Sequence, residues 1–364
     1  MRAMSRPHRF AAAATAAATA LTLGATVSPP AAAESKRTFE VVASGLDNPR
    51  QIDFGTRGAL YVAEAGQGGS GPCIPGPVGE VCFGRSGAVT RVSPHGVRRR
   101  IMERLPSLAA EDGSAAIGPS DVEVRGRHAT VSIGLQQDPA VRDQLPPGAR
   151  LLGHLVRREL TGHRLHVVAD IAGFEAASNP DGNEVDSNPT SVKANRRGWV
   201  VADAGGNSLV RVNRHGATEL LTVFDFLDLP GVDFPVAPVP TSVSRGPDGS
   251  RYVGLLTGFP FVEGAAQVIR VRPNGNQTVF AEGLTNVTDV EFRNETLYAV
   301  ELAEQGLLNG PIGRLVRIDP DGTQTTVAGD LFAPFGLALR KGTAYVSTCS
   351  VCPDAGEVIA IPLH

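Results

Sequence analysis

Asn188-Pro189-Thr190-Ser191-Val192, Trp199-Val200-Val201-Ala202-Asp203 and Leu209-Val210-Arg211-Val212, the last followed by Arg214-His215-Gly216, decide how this chain folds. The three segments are short, and β-branched and aromatic residues dominate them, as strands prefer. Gly216 supplies the positive φ that a hairpin turn needs. The unit recurs along the sequence. Its start returns at Asn48-Pro49-Arg50-Gln51-Ile52, Pro119-Ser120-Asp121-Val122, Pro240-Thr241-Ser242-Val243, Asn286-Val287-Thr288-Asp289-Val290 and Pro334-Phe335-Gly336-Leu337. Its second strand returns as Leu60-Tyr61-Val62-Ala63-Glu64, Ala129-Thr130-Val131-Ser132-Ile133, Arg251-Tyr252-Val253-Gly254-Leu255, Leu297-Tyr298-Ala299-Val300-Glu301 and Ala344-Tyr345-Val346-Ser347-Thr348. The third strand and its turn return at Val89–Gly96, Val268–Gly275 and Leu315–Gly322, where alternation predicts an exposed arginine between buried aliphatics.

Six copies of a four-stranded unit predict an all-β, six-bladed β-propeller, with blades starting near 48, 119, 188, 240, 286 and 334. A lone four-stranded sheet cannot bury both faces; a ring of them can. The sixth unit ends after its third strand, so Phe39-Glu40-Val41-Val42-Ala43 is expected to supply the fourth and close the ring without an open edge. Units one and two carry insertions, at 65–86, 134–150 and 174–187, and long loops in a compact repeat are candidate functional elements.

Residues 1–33 read as a secretory signal: basic Arg2, Arg6 and Arg9, an apolar run, then Ala31-Ala32-Ala33. The mature chain, 34–364, is then one propeller domain outside the cytoplasm, with no later stretch apolar enough to span a membrane. The formal net charge is −3, and removing the leader takes away three arginines and no acid. That balance disfavours general nucleic-acid binding. Four cysteines allow three pairings. Cys73 with Cys82 and Cys349 with Cys352 is the preferred one for an exported chain. A redox Cys-x-x-Cys and a four-cysteine zinc site are alternatives, disfavoured by Pro353 and Gly356 and by the wide first spacing.

Propeller ligands bind where loops entering the first strand meet loops leaving the second. The second-strand ends place Glu64, Asp203 and Glu301 in alternate blades, expected to point inward. The first strands contribute Gln51, Asp121, Ser191, Ser242 and Asp289, with Arg50 and Asn207 beside them. The candidate ligand-binding set is therefore Arg50, Glu64, Asp121, Asp203, Asn207, Asp289 and Glu301. Glu64, Asp203, Asn207 and Glu301 offer only oxygen donors, which suits calcium rather than zinc or copper. The alternative is that the acids bind strand-end amides or channel water. The stretch Asn179–Asn188 is also oxygen-rich, but Gly182 is misplaced for a helix-loop-helix calcium motif and a solvated turn is expected. No histidine falls at the mouth, and no Gly-x-Ser-x-Gly or His-Glu-x-x-His occurs.

The stretches Val42-Ala43-Ser44-Gly45-Leu46-Asp47-Asn48-Pro49-Arg50, Ala63-Glu64-Ala65-Gly66, Val201-Ala202-Asp203-Ala204-Gly205-Gly206-Asn207-Ser208 and Leu256-Thr257-Gly258-Phe259-Pro260-Phe261 resemble the ScyD/ScyE family of exported bacterial proteins. The resemblance implies an exported propeller and no established reaction. More distantly the repeat is similar to NHL-type propellers and to the SMP-30/gluconolactonase group, which implies a metal held by channel-mouth acids and amides. It also shares features of soluble quinoprotein sugar dehydrogenases. The expected function is a non-catalytic extracytoplasmic binding or scaffold module for a small molecule, polysaccharide or protein. The second reading is a calcium-dependent lactone hydrolase at the channel mouth.

Overall fold

The computed structural model describes residues 39–76 and 79–363; the leader and the expected mature start at Glu34 lie outside the described residues. Strand β1 is Glu40–Leu46. Blade 1 follows as β2 (Pro49–Phe54), β3 (Leu60–Glu64), β4 (Cys73–Gly76), β5 (Gly79–Val92) and β6 (Arg98–Ala109). Blade 2 is β7 (Pro119–Arg125), β8 (His128–Ile133), β9 (His154–Glu159) and β10 (Leu165–Asp170), then helix α1 (Ile171–Ser178). Blade 3 is β11 (Pro189–Ala194), β12 (Gly198–Asp203), β13 (Ser208–Asn213) and β14 (Thr218–Val223). Blade 4 is β15 (Pro240–Arg245), β16 (Arg251–Leu255), β17 (Ala266–Val271) and β18 (Gln277–Leu284). Blade 5 is β19 (Val287–Arg293), β20 (Thr296–Glu301), β21 (Ile312–Ile318) and β22 (Gln324–Phe332). Blade 6 is β23 (Leu337–Arg340), β24 (Thr343–Thr348) and β25 (Gly356–Pro362). Six antiparallel sheets result, and the chain is a six-bladed β-propeller.

The last sheet runs β1-β25-β24-β23, with Glu40 opposite Ala360 and Leu46 opposite Gly356. The N-terminal strand thus completes blade 6, as the sequence predicts. First strands touch first strands around the whole ring, from β2 through β7, β11, β15 and β19 to β23 and back.

Side chains of a strand alternate between its two faces, and here both faces are buried. Tyr61 and Ala63 pack towards blade 2, whereas Leu60 and Val62 pack towards blade 6. Trp199 and Val201 face blade 2, whereas Val200 and Ala202 face blade 4. Each of the six seams between blades holds its own apolar cluster. Tyr252 fills the seam between blades 4 and 5 with Phe280 and Phe292, both edge-on to its ring.

One expectation needs correcting. Arg91, Arg211, Arg270 and Arg317 are half-buried rather than exposed. Because both faces of a blade meet neighbours, a polar position can only snorkel out along the seam. Arg270 pairs there with Asp248 and Arg211 with Glu219.

The insertions gather on one sector. The hairpin β4–β5 is bridged by Cys73–Cys82, and Cys349–Cys352 is also formed. Ile74, Val81 and Phe83 of that hairpin share a cluster with Val141 and Leu145 of the blade 2 insertion. Gln137 bridges to Ser187, drawing the 134–150 and 174–187 segments together. Among the described residues no helix is long and apolar enough to cross a membrane.

Candidate functional site

Glu64, Asp203 and Glu301 do not converge on the axis. Glu64 accepts from the Asp47 amide (2.8 Å), the Thr90 hydroxyl and Arg100 (3.2 Å). Glu301 accepts from the Thr285 amide (2.6 Å) and Arg314. Asp203 accepts from the Asn188 amide (2.6 Å) and the Ser187 hydroxyl (2.7 Å). Each acid latches the loop entering its own blade. The physical reason is geometric. Blade faces meet neighbouring blades, so a second-strand side chain points across a face and only the first strands border the axis. The longer Glu reaches the residue before the entry asparagine; the shorter Asp reaches the asparagine itself.

The proposed metal set is therefore not assembled. Glu64, Asp203 and Glu301 sit in three separate latches. Asn207 donates to Asp181 (2.8 Å) and accepts from the Val239 amide (3.3 Å), tying blade 3 to the loop before blade 4. Among the described residues no three His, Cys, Asp or Glu side chains are set to hold a metal ion. The residues at the mouth do not fit a calcium site of the expected composition. Arg50 is also committed: it donates to the carbonyls of Ser350 (2.5 Å) and Ala116 (2.7 Å) and lies 4.9 Å from the Phe335 ring centroid. Burial lowers it to about 10.

The first strands do line the axis, and here the predicted Asp121 and Asp289 are found in structural roles. Asp121 accepts from the Val192 amide (2.8 Å) and the Ser191 hydroxyl (3.0 Å) of blade 3. Asp289 accepts from the Leu337 amide (2.8 Å) of blade 6. Gln51 of blade 1 donates to the carbonyls of Thr241 (2.9 Å) and Thr288 (3.3 Å), in blades 4 and 5, and so spans the channel. Two residues further along each first strand comes a layer the sequence reading missed. Lys193 lies 3.5 Å from Glu123 and 3.6 Å from Glu291, with Asp53 bonded to the Val124 amide (2.7 Å). The signal was available, since positions i and i+2 of a strand share a face.

Burial raises Asp121 to about 6, against the pull of Lys193 and the Val192 amide. Asp53 is raised too, by burial first, and with Lys193 opposing Glu123 and Glu291. Burial works against the charge on Lys193, but Glu291, Glu123, Asp53 and Asp121 hold it well above its ordinary value. A carboxyl raised in the folded state keeps its proton longer there, so native stability falls as pH rises from about 4 to about 6. The melting midpoint should fall across that range, and less steeply in Asp121→Asn. Parallel curves for the two proteins would contradict this.

An open groove lies on the face opposite the mouth, where the turns after first and third strands of blades 2, 3 and 4 meet. Three adjoining depressions of about 480, 400 and 750 Å³ run along it. Trp199 borders all three, with Arg157 stacked 5.6 Å from its ring centroid. Eleven arginines line the groove against two acids, Glu159 and Glu219. Four of the chain's eight histidines, His128, His163, His166 and His215, stand there as well. Arg251 keeps a buried Nη1 without a hydrogen-bond partner. Net charge concealed this face, because it averages a basic groove with acidic loops elsewhere.

No family model matches the chain, and no curated protein matches it. Solved structures do. The PQQ-bound aldose sugar dehydrogenase of Streptomyces coelicolor is 11% identical and aligns over 89% of this chain and 96% of its own, with a TM-score of 0.53. A gluconolactonase from Xanthomonas campestris is 10% identical over 88% of each chain, with a TM-score of 0.51. A Bacteroides thetaiotaomicron protein of unknown function is 9% identical over 88% of this chain and 75% of its own, with a TM-score of 0.54. These neighbours share the propeller fold, and at such identity the likeness is one of fold alone.

Proposed function

We propose that this chain is an exported, non-catalytic binding module that holds an acidic polysaccharide on the arginine groove of blades 2, 3 and 4. The excess of eleven arginines over two acids along one continuous open groove carries the reading. An extended groove suits a polymer better than a compact substrate. Guanidinium groups pair bidentately with carboxylate and sulfate. The two disulfides support a location outside the cytoplasm, and the motif likeness to ScyD/ScyE proteins agrees with export. A calcium-dependent hydrolase at the channel mouth is the weaker reading, because the mouth carboxylates are each engaged in a latch.

The test is retention of the mature protein on immobilised polygalacturonate and dextran sulfate, against neutral dextran and duplex DNA. Retention on the acidic polysaccharides is expected, weakened as salt rises. Exchanging the exposed Arg125, Arg164 and Arg214 for alanine should weaken it by about tenfold or more. Equal retention of the triple variant, or tighter capture by DNA, would refute the proposal.

A further inference from the structure

The blade 2 insertion carries a second cluster, on the mouth side of the ring. Helix α1 is capped at its start by Asp170, which accepts from the Gly173 amide (2.7 Å), and ends at Asn179 in the left-handed region. This fixes Glu175 on the face turned towards blade 3. Glu175 is 1% exposed, and neither of its carboxylate oxygens has a hydrogen-bond partner. An ionised carboxylate so placed is costly unless something pairs with it.

Its surroundings add negative charge rather than relieve it. The stretch 179–188, expected as a solvated turn, folds against the blade 3 turn through the bond from Asn207 to Asp181. Asp186 is half-buried there, with Oδ1 unpartnered. Two glycines floor the space. A Cβ on Gly206 would come within 2.4 Å of Glu175 Oε2, and one on Gly205 within 2.8 Å of Asp186 Cγ. The adjacent glycines therefore bring both carboxylates against one short stretch of backbone. Burial, and then Asp203, Asp181 and Asp186, push Glu175 up to about 8. No cation side chain pairs with either acid among the described residues, so near neutral pH Glu175 keeps a proton unless a cation from solution displaces it.

We propose that Glu175, through both oxygens, and Asp186, through Oδ1, bind one divalent cation over Gly205–Gly206. The donors are all oxygen, so the class is calcium rather than zinc or copper. Two protein carboxylates leave several positions to water, and the affinity belongs in the weak range of extracellular sites, about 10⁻⁴ to 10⁻³ M. The cation would tie α1 and the 179–188 segment to blade 3.

The experiment is a thermal melt of the mature protein in calcium and in chelator, with equilibrium dialysis to count bound calcium. At calcium ten times its Kd the midpoint should rise by about 3 °C, with one ion per chain. Glu175→Gln, which keeps the shape and removes the charge, should lose both the shift and the ion. In chelator it should melt no lower than the parent, which shows that it folds. Asp186→Asn should weaken binding about tenfold. Glu123→Gln, in the separate acidic layer of the channel, should bind as the parent does. No calcium shift in the parent, or a shift lost in Glu123→Gln but kept in Glu175→Gln, would overturn the proposal.

Discussion

A chain lacking residues 39–46 should lose its cooperative melt and bind hydrophobic dyes or precipitate. Without β1, blade 6 keeps three strands, and β25 presents a full row of unpaired amides and carbonyls. Such an edge is a template for another chain. Ala43 and Leu46 also leave the seam between blades 6 and 1, uncovering Val358 and Val92. Leu46→Ala alone should cost about 3 kcal/mol, and the full deletion more, since the ladder goes with it. Dye binding and melting of both variants measure this. A cooperative melt within a few degrees of the parent for the deletion would show that three strands suffice for the last blade.

Glu301→Ala should be the most damaging single change among the mouth acids. It removes a fully buried carboxylate and leaves the Thr285 amide without its acceptor and Arg314 without its partner. Losing one side of such an arrangement costs about 3–5 kcal/mol. Glu301→Gln keeps an acceptor and should cost only about 1–2 kcal/mol. The losses should be the same in calcium and in chelator, because the role is a latch. Denaturant unfolding in both conditions decides. A loss seen only in calcium would restore Glu301 as a metal ligand.

The fold was legible because each repeat states it independently. The strand pattern, the Gly turns and the missing sixth-blade strand agree, and the local cysteine pairs follow from a short hairpin and a tight turn. The site was less legible for two different reasons. Alternation says which residues share a face, but not which face meets the axis, so Glu64, Asp203 and Glu301 were sent inward when they point across their blades. The layer of Asp53, Glu123, Lys193 and Glu291 lies in the same column, two residues on, and was missed although strand alternation places it on the same face. Glu175 had no such signal. It lies in an insertion outside the repeat, and its burial depends on how α1 packs against Gly206. The arginine groove draws on three blades, whose turns are far apart in sequence.

The closing of blade 6 by β1 has a consequence for connectivity. Glu40 lies beside Ala360, so the two ends of the described chain meet in one sheet. Within that sheet β1 and β25 are joined by backbone pairing alone, and the chain passes from β1 straight into blade 1 across a seam packed like the other five. The order in which the blades are strung together is then incidental to the ring. A circularly permuted chain, joined across the present ends and opened in the exposed turn at Asp321–Gly322, should assemble the same six seams.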